Sequence, residues 1–531
     1  MASTLLRKVW GTVLARAVPR DPDASASSSS PRRRGAPAAA AAEYGSLGAL
    51  DAVPIDVLAQ ILRLLGPADA ARSAAVCRTW RLLASDNALW AFFLSLGPDP
   101  WDLVVFAETH LAAGSAEPRS VYFGTVRVPP QLSFKRIYGQ RALVPGSIIV
   151  DGIVHPTNSP IWTTLMILPS VSHYTFFPQA AMRQTLDSTV NGGSGYCKYG
   201  WSKYAAPSGR CATFLEFGNI ESPMYARLRH FFSTIYNRIH VKPSARPIVV
   251  ALPLCHSDDT EAARASRKQY KETLYSVLFD MNVPAVCAVD QALLALYAAR
   301  RTSGIVVNIG FNVTSVVPIF QGRVMREIGI ETVGQGALKL TGFLKELLQR
   351  RNISFESLYT VRTIKEKICY VAADYEAELC KNTQASCEVD GEGWFTLSEE
   401  RFKMAEILFQ PQIGGVRAMA LHKAVSLCMD HCYNYEVLRD HSWFKTVVLA
   451  GGSSCLPGLP ERLEKELHKL LPPYISEGIR VLPPPFGTDT AWFGAKMIGT
   501  VSTFSDAWCI NKKQFRQKSR HSGSSLVNAW R

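Results

Sequence analysis

Two β-branched runs around a short turn form the most constraining stretch of this 531-residue chain. The stretch spans residues 304–322, and Gly310, Phe311 and Asn312 lie between the two runs. This pattern predicts a strand, a tight turn and a second strand. Successive backbone N–H groups in such a turn can point at one phosphate, and glycine permits its close approach. The pattern alone does not specify a ligand, because any β-hairpin can show it.

Length and composition predict a globular chain of two to four domains, with 47% hydrophobic and 19% charged residues. No apolar run reaches the roughly eighteen residues of a membrane span, so we expect no membrane partner. The formal net charge is +14. Residues 1–46 hold seven Lys and Arg against three acids, and residues 504–531 hold six against one. We therefore expect a mildly basic body and no direct sequence-specific nucleic-acid binding.

The twelve cysteines are scattered without a disulfide framework, which favours buried free thiols in a reducing compartment. Their densest cluster contains Cys428, His431 and Cys432. Both cysteines of this cluster fall on one helical face, and no second ligand pair accompanies them. We therefore predict no metal site from cysteine and histidine.

A small helical module is predicted over residues 47–95, after a low-complexity basic segment over residues 1–46 that we expect to be disordered. From Leu58, aliphatic side chains recur at helical spacing until Gly66 and Pro67 end the helix. Residues 76–81 (Val-Cys-Arg-Thr-Trp-Arg) and a closing Leu89-Trp90 follow. In order and spacing the module resembles an F-box. The alternative is a helical hairpin packed on the main body.

The F-box resemblance implies a surface that binds a Skp-type adaptor of an SCF-type ubiquitin ligase. A helical trio too small for a full core leaves apolar side chains for a partner helix. The residues implied for this surface are Pro54, Ile55, Leu58, Ile61, Leu62, Leu65, Val76 and Trp80.

Residues 143–508 resemble actin and its relatives. The likeness is spread over segments 192–201, 291–300, 304–322, 364–372, 407–411 and 447–458, in the family's order. It implies an actin-like, two-lobed α/β fold, preceded by the all-α F-box module and a connecting segment over residues 96–142. Only about fifty residues separate Gly195 from Ile248. This spacing implies a reduced outer small subdomain, so we expect no filament formation. Residues 509–531 are expected to be a basic tail.

The actin resemblance implies a site for ATP or ADP. Ser194 and Lys198 would contact phosphates, and Lys365 and Glu366 would contact the nucleoside. The complete implied set is Gly193, Ser194, Gly195, Lys198, Asn308, Gly310, Gly334, Lys365, Glu366, Gly451, Gly452 and Ser453.

Departures from the family pattern concern the chemistry of this site. The family places carboxylates at the positions of Asn308 and Phe311, where they help organise hydrated Mg²⁺ and the attacking water. Gln291, which would position that water, is retained, whereas Ser315 replaces a histidine. Loss of such supporting groups costs roughly 10–100-fold in metal affinity or activity. We therefore expect weakened Mg²⁺ binding, no metal site formed by protein ligands alone, no established catalytic residue and slow or absent hydrolysis.

Residues 152–191 interrupt the first phosphate loop. Their deletion would join the strand ending at Asp151 directly to Gly193, Ser194 and Gly195. We hypothesise a retained intron, and a functional surface insertion is the rival interpretation. If the segment belongs to the protein, we expect Asp151 to be detached from its loop, with Asn191 in its place.

An F-box joined to an actin-like body resembles the F-box-containing actin-related proteins of plants. The resemblance implies a non-enzymatic adaptor, in the nucleus or cytoplasm or both, that links an unknown target to an SCF-type ligase. One alternative is a nuclear structural subunit of a chromatin-associated assembly. A second is a weak ATPase.

Overall fold

The computed structural model describes residues 53–114, 132–152, 196–212, 222–253, 261–326, 328, 331–333, 335–389, 391–435 and 441–521. Several sequence-based predictions lie outside these residues: the basic tail over residues 1–46, nearly all of the insertion, Gly193 to Gly195, and Gly334. Within the described residues, no helix is long and apolar enough to cross a membrane.

The N-terminal module is a trio of helices. Helix α1, Ile55–Ser73, leaves helical geometry at Gly66, where φ is 82°. This break confirms the predicted helix end, because Pro67 lacks an N–H and glycine tolerates the left-handed region. Helices α2, Arg78–Leu83, and α3, Asn87–Ser95, complete the trio. Its core consists of Leu58, Leu62, Ala70, Leu83, Leu89, Trp90 and Phe93.

The segment over residues 96–142, predicted only to connect the two modules, is largely helical where it is described. Helix α4, Trp101–Phe106, continues into a π-helical turn, Ala107–Leu111. Helix α5, Phe134–Leu143, packs on the trio through Tyr138, whose ring centroid lies 5.2 Å from that of Trp90. The helices of this connecting segment also pack on both modules, because they add to the trio's core and cover apolar surface of the body.

The outer lobe is built on a six-stranded sheet with the order β14-β5-β4-β1-β2-β3. Its strands are β1, Ile148–Asp151; β2, Tyr196–Trp201; β3, Gly209–Ala212; β4, Ile248–Leu252; β5, Ala285–Asp290; and β14, Ile510–Asn511. Strands β1, β4 and β5 are parallel. Helices α6, Met224–Arg238, and α7, Glu261–Asp280, cover one face of this sheet. Because α6 begins shortly after β3, little chain is left for an outer subdomain.

The inner lobe contains a second sheet, with the order β13-β12-β6-β7-β8 and β9 paired with β7. Its strands are β6, Gly304–Ile309; β7, Thr314–Phe320; β8, Arg323–Val324; β9, Glu331–Val333; β12, Thr446–Ala450; and β13, Arg480–Leu482. A separate hairpin consists of β10, Ala385–Val389, and β11, Gly393–Leu397. Strands β6 and β7 pair antiparallel with Asn308 opposite Ser315, which confirms the hairpin predicted from the sequence.

Helices α8, Gln291–Ala298, and α16, Thr490–Thr500, lie between the two sheets and share a core with both. A Cβ on Gly494 of α16 would lie 1.9 Å from the carbonyl oxygen of Leu294, so only glycine permits this approach. The remaining helices are α9, Ala337–Arg350; α10, Leu358–Ile368; α11, Tyr375–Leu379; α12, Glu400–Glu406; α13, Leu421–Tyr433; α14, Leu459–Leu470; and α15, Pro473–Ser476.

The start of the expected C-terminal tail is folded. Strand β14 pairs with β5, and helix α17, Lys512–His521, follows it. The ring of Phe515 stacks on Tyr275 of α7 at a centroid distance of 5.6 Å. The expectation of a tail from residue 509 is corrected, because this aromatic contact and the strand pairing attach the segment to the outer lobe.

A buried carboxylate joins the helical segment to the body. Glu108 accepts hydrogen bonds from Ser502 N at 3.0 Å and Ser502 Oγ at 2.6 Å. Arg141 Nη1 lies 3.2 Å from the same carboxylate, and Arg141 also pairs with Asp99. Nearby, Trp508 Nε1 donates to the carbonyl of Leu111 at 2.8 Å. These contacts hold the N-terminal module against the actin-like body.

Substitution of Glu108 by alanine is expected to lower the free energy of unfolding by about 3 kcal/mol, because Arg141 then keeps a largely buried charge with one partner fewer. Urea denaturation of the intact chain measures this change. The control Arg72→Ala breaks an exposed pair with Asp69 and should cost less than about 0.5 kcal/mol. Equal losses in the two variants would contradict a structural role for the buried carboxylate.

Candidate functional site

Three polar side chains meet at the floor of the cleft between the two sheets. Gln291, the first residue of α8, donates from Nε2 to Asp151 Oδ1 at 2.6 Å. Asn308 Nδ2 donates to Gln291 Oε1 at 3.4 Å. Asp151 ends β1 in the outer sheet and Asn308 lies near the end of β6 in the inner sheet. Gln291 therefore links the two lobes through both ends of its amide.

The sequence analysis expected Asp151 to be detached from its phosphate loop, and the glycines of that loop, Gly193 to Gly195, lie outside the described residues. Asp151 itself lies at the floor of the cleft. It pairs in register with Lys198 of β2, so the strand is completed although residues 153–195 lie outside the described part. Burial raises the pKa of Asp151, while Lys198 and the hydrogen bond from Gln291 act in the opposite direction. The carboxylate of Asp151 is thus bound at the floor of the cleft by Gln291.

Lys198, which the resemblance implies for phosphate contact, is bound by the chain itself. Its Nζ lies 3.5 Å from Asp489 Oδ1 and also donates to the carbonyl oxygen of Thr488. Arg210 Nη2 lies 2.7 Å from Asp489 Oδ2. The Asp489 carboxylate therefore pairs with two cations of the outer lobe. A carboxylate, like a phosphate, is an anion that accepts charge-assisted hydrogen bonds from Lys and Arg.

Glycines provide the close backbone approach predicted at the end of β12. Gly451 has a φ of 92°, and a Cβ there would lie 2.2 Å from the carbonyl oxygen of Ile309. Gly452 begins the 3₁₀ turn that follows. In the hairpin turn, Gly310 N donates to the carbonyl of Val313 at 3.0 Å. Both turns border the cleft floor, since a Cβ on Gly451 would also lie 2.8 Å from Asn308 Oδ1.

Lys365 and Glu366, implied for nucleoside contact, differ in their surroundings. Lys365 is buried, with Nζ 3.1 Å from Thr341 Oγ1 and 3.4 Å from Ser453 Oγ, and burial lowers its pKa to about 8. Glu366 pairs with Arg362 at 2.8 Å. The Arg362 guanidinium lies 4.5 Å from the ring centroid of Tyr196 on β2, so this contact spans the two lobes.

Gln335 belongs to this region, and the sequence analysis missed it. Both polar atoms of its side chain are buried and make no hydrogen bond among the described residues, although its carbonyl accepts from Thr314 Oγ1. The neighbouring Gly336 packs against the hairpin turn at Phe311 and Asn312. The only sequence signal for Gln335 was the pair of glycines on either side of it, Gly334 and Gly336. A buried amide that has no hydrogen-bond partner within the described part of the chain fits a polar ligand.

The metal-organising carboxylates of the family are missing from the described site. Asn308 is used in the bond to Gln291, and Phe311 offers only its main chain, whose carbonyl accepts from Leu338 N at 2.8 Å. Across the described residues, no group of three or more His, Cys, Asp or Glu side chains could hold a metal ion. The side chains present fit a nucleotide better than a tightly held divalent ion.

Comparison with known proteins agrees with this architecture. A protein-family model described as Actin matches residues 229–528, more than half of the chain. The chain belongs to the actin family. A model described as F-box-like matches residues 50–94. The fold is thus an actin-like α/β body with a helical F-box-like region before it.

The chain is also similar to curated plant proteins over nearly its whole length. It is 74% identical to the Actin-related protein 8 of Oryza sativa subsp. indica, over 99% of this chain and 100% of the relative. It is 56% identical to the Actin-related protein 8 of Arabidopsis thaliana, over 97% of this chain and 99% of the relative. The relatives and the two family models confirm the resemblance to plant actin-related proteins that was inferred from the sequence.

The F-box-like region presents an apolar face to solvent. Leu64 is 88% exposed and Val76 is 70% exposed, and Ile55, Ile61 and Leu65 are also exposed. The predicted set for this face is corrected at two positions, because Leu58 and Leu62 point into the module's own core. Pro54 is exposed and Trp80 is half-buried against that core. Val57, Leu64 and Leu82 are also exposed and lie outside the predicted set. The helical stripe did not separate the two sides, because Leu58 and Leu62 are buried and Ile61 and Leu65 are exposed.

Replacing Gly451 by alanine is expected to lower the free energy of unfolding by about 3 kcal/mol, because the new Cβ collides with a main-chain oxygen in a left-handed conformation. Gly415→Ala is the control: its φ is 64°, but its Cβ would meet nothing within 4 Å, so a cost of about 1 kcal/mol is expected. Urea denaturation of both variants provides the comparison. Equal costs would show that close approach at Gly451 contributes nothing.

Proposed function

We propose that the protein is a non-enzymatic adaptor of the nucleus or cytoplasm. Its F-box-like region binds a Skp-type adaptor of an SCF-type ubiquitin ligase, and its actin-like body holds a target protein. The observation that carries this proposal is the exposed apolar face at Leu64, Leu65 and Val76, beside a complete internal core. Burial of each such side chain in a partner groove contributes about 1.5–3 kcal/mol. A module that needed only to support the body would bury these side chains.

Leu64→Asp is expected to abolish binding of a Skp-type adaptor, because it places a charge in an apolar interface while leaving the module's core intact. Pull-down and calorimetric titration with the intact chain measure the loss, which should exceed 100-fold. The matched control is Leu143→Asp, at another exposed leucine (83% exposed) at the end of α5. Wild-type protein that fails to bind any Skp-type adaptor would refute the ligase proposal.

The alternative is a structural role in a chromatin-associated assembly, and the variant Leu64→Asp distinguishes it from the adaptor role. Association with chromatin-remodelling subunits that is unchanged in Leu64→Asp would favour that role. An adaptor role instead requires target association and ligase association in the same molecule, with only the second lost in the variant.

We further propose that the cleft binds ATP or ADP with little or no hydrolysis. A bound nucleotide would supply phosphate groups and a phosphoanhydride bond as the group that hydrolysis would cleave. Lys198 and the backbone around Gly310 and Gly451 would bind the phosphates, and Lys365 and Glu366 would bind the nucleoside. The Gln291 amide orients Asp151 and Asn308 rather than standing free. The absence of a carboxylate at Asn308 and Phe311 supports slow turnover.

Because Asp489 pairs with Lys198, we predict that its carboxylate competes with a nucleotide phosphate for this lysine. Asp489→Asn is expected to raise the affinity for ATP about tenfold, or about 1.4 kcal/mol, because the variant releases Lys198 and Arg210 from a charged partner. Isothermal titration of the intact chain measures it. Asp374→Asn, at an exposed carboxylate paired with Lys465, is the control and should leave affinity unchanged. An unchanged or lower affinity in Asp489→Asn would reject the competition.

A further inference from the structure

The hairpin of β10 and β11 packs against the segment that leads into α10. The ring centroid of Phe355 lies 4.8 Å from that of Phe395 on β11. Further along the same segment, Thr360 Oγ1 lies 3.5 Å from Glu392 Oε1 at the turn of the hairpin. Among the described residues, no third strand pairs with β10 or β11. We call the following residues together the hairpin corner: 355–360, 385–389 and 391–397.

One face of the hairpin is buried and the other is open to solvent. Cys387, Val389 and Leu397 belong to the core of the inner lobe. The alternate residues of the two strands are exposed: Ser386, Glu388, Trp394 and Thr396. Glu388 stands directly opposite Trp394 in the register of the strands, so their side chains are neighbours on the open face.

The hairpin corner holds the two most exposed Trp, Tyr or Phe side chains of the described residues. Trp394 is 70% exposed on the open face of the hairpin, and Tyr359 is 68% exposed in the first turn of α10. Trp and Tyr supply a large contact area at a low cost in conformational entropy, and they are enriched at the centres of binding interfaces. Two such side chains at one corner mark it as a surface for a partner.

The carboxylates of the hairpin corner have no cation of their own. Glu356, Glu388 and Glu392 are exposed, and none of them forms an ion pair within the described part of the chain. Lys367 Nζ donates to the main-chain carbonyl of Glu388 at 2.6 Å, not to its carboxylate. Residues 355–360 and 385–397 contain no Lys or Arg, although the chain as a whole carries +14. The corner is therefore locally acidic in a basic protein.

This combination of aromatic rings and carboxylates distinguishes among classes of partner. The carboxylates would repel a nucleic acid or an anionic membrane surface. Across the described residues, no group of three or more His, Cys, Asp or Glu side chains could hold a metal ion, so a divalent cation has no ligand set at this corner. The face of an exposed Trp attracts a guanidinium or ammonium group, and a neighbouring carboxylate accepts charge-assisted hydrogen bonds from it.

We propose that the hairpin corner binds an extended, Arg-bearing segment of the target protein that the actin-like body holds. One guanidinium lies on the Trp394 ring beside Glu388, and a second pairs with Glu392. Successive side chains of an extended segment point to opposite faces, so arginines at every second position reach the corner together. The identity of the partner as a target rests on the proposed adaptor role, whereas the cation-binding chemistry rests on the corner alone.

The experiment measures fluorescence anisotropy of a labelled six-residue peptide of alternating Arg and Ser, titrated with the intact chain at several salt concentrations. Trp394→Ala should weaken binding about tenfold and Trp394→Tyr about threefold, because tyrosine keeps a weaker aromatic face. The double variant Glu388→Lys and Glu392→Lys should weaken binding at least about tenfold, because like charges then face the peptide. The affinity of the wild type should fall as salt rises, since exposed opposite charges are screened. A peptide of alternating Glu and Ser should not bind.

The matched controls change the same kinds of residue elsewhere in the inner lobe. Tyr474→Ala removes another exposed aromatic ring, which is 60% exposed. Glu461→Lys combined with Glu477→Lys repeats the change in net charge at exposed positions. Both controls should change affinity less than about twofold, because neither touches the hairpin corner. Absence of binding by the wild type, equal binding of the Glu–Ser peptide, or equal weakening by the controls would overturn the proposal.

Two further comparisons separate the hairpin corner from its rivals. Replacement of Arg32, Arg33 and Arg34 by alanine should leave the affinity for the Arg–Ser peptide unchanged. A tighter complex in that variant would show that the chain's own basic segment occupies the corner, and it would reject an external partner. Leu64→Asp should bind the peptide as the wild type does, and Trp394→Ala should keep its affinity for a Skp-type adaptor. The ligase role fails if the wild type binds no such adaptor, whereas the corner fails if it binds no Arg–Ser peptide.

Discussion

The close approach of α8 and α16 is the constraint on which the rest of the body depends. These two helices fill the space between the sheets, and Gly494 lies so near the main chain of Leu294 that no side chain fits between them. Their proximity lets both sheets pack on one shared core. It also fixes Gln291, the first residue of α8, at the point where the carboxyl ends of β1 and β6 converge. The geometry of the cleft is therefore a consequence of helix packing.

Within that cleft, the chain's own side chains supply contacts between the lobes. Gln291 joins Asp151 to Asn308, and Arg362 lies over Tyr196 across the opening. Asp489 neutralises Lys198. Replacing a carboxylate by Asn308 removes a charge that would repel Asp151, and the amide gains a hydrogen bond to Gln291 instead. The Asn308 amide therefore contributes to the contact between the lobes without placing a second charge near Asp151.

Local patterns in the sequence predicted the hairpin of β6 and β7 and the helix end at Gly66, because both depend on neighbours along the chain. The order of family motifs predicted the fold, which the Actin match confirms. Contacts between distant segments could not be predicted. Helix α17 is strongly polar, and it is attached to the lobe by the stacking of Phe515 on α7 and by Lys512, which donates to the carbonyl of Phe279. The F-box stripe correctly located an apolar helix, but periodicity does not say which members of the stripe face the core: Leu62 is buried and Leu65 is exposed.

The contacts of Glu108 attach the N-terminal module to the actin-like body. The Glu108 carboxylate is bound by Ser502 and Arg141, and the main chain of Leu111 accepts from Trp508, so the N-terminal module is attached at several points rather than by one tether. Rotation of the module would have to break partly buried, charge-assisted hydrogen bonds, each of which contributes more than a neutral one. The apolar face at Leu64 therefore has a defined orientation relative to the cleft. A partner on one surface would be held at a set distance from a partner on another, which is the geometric requirement of an adaptor.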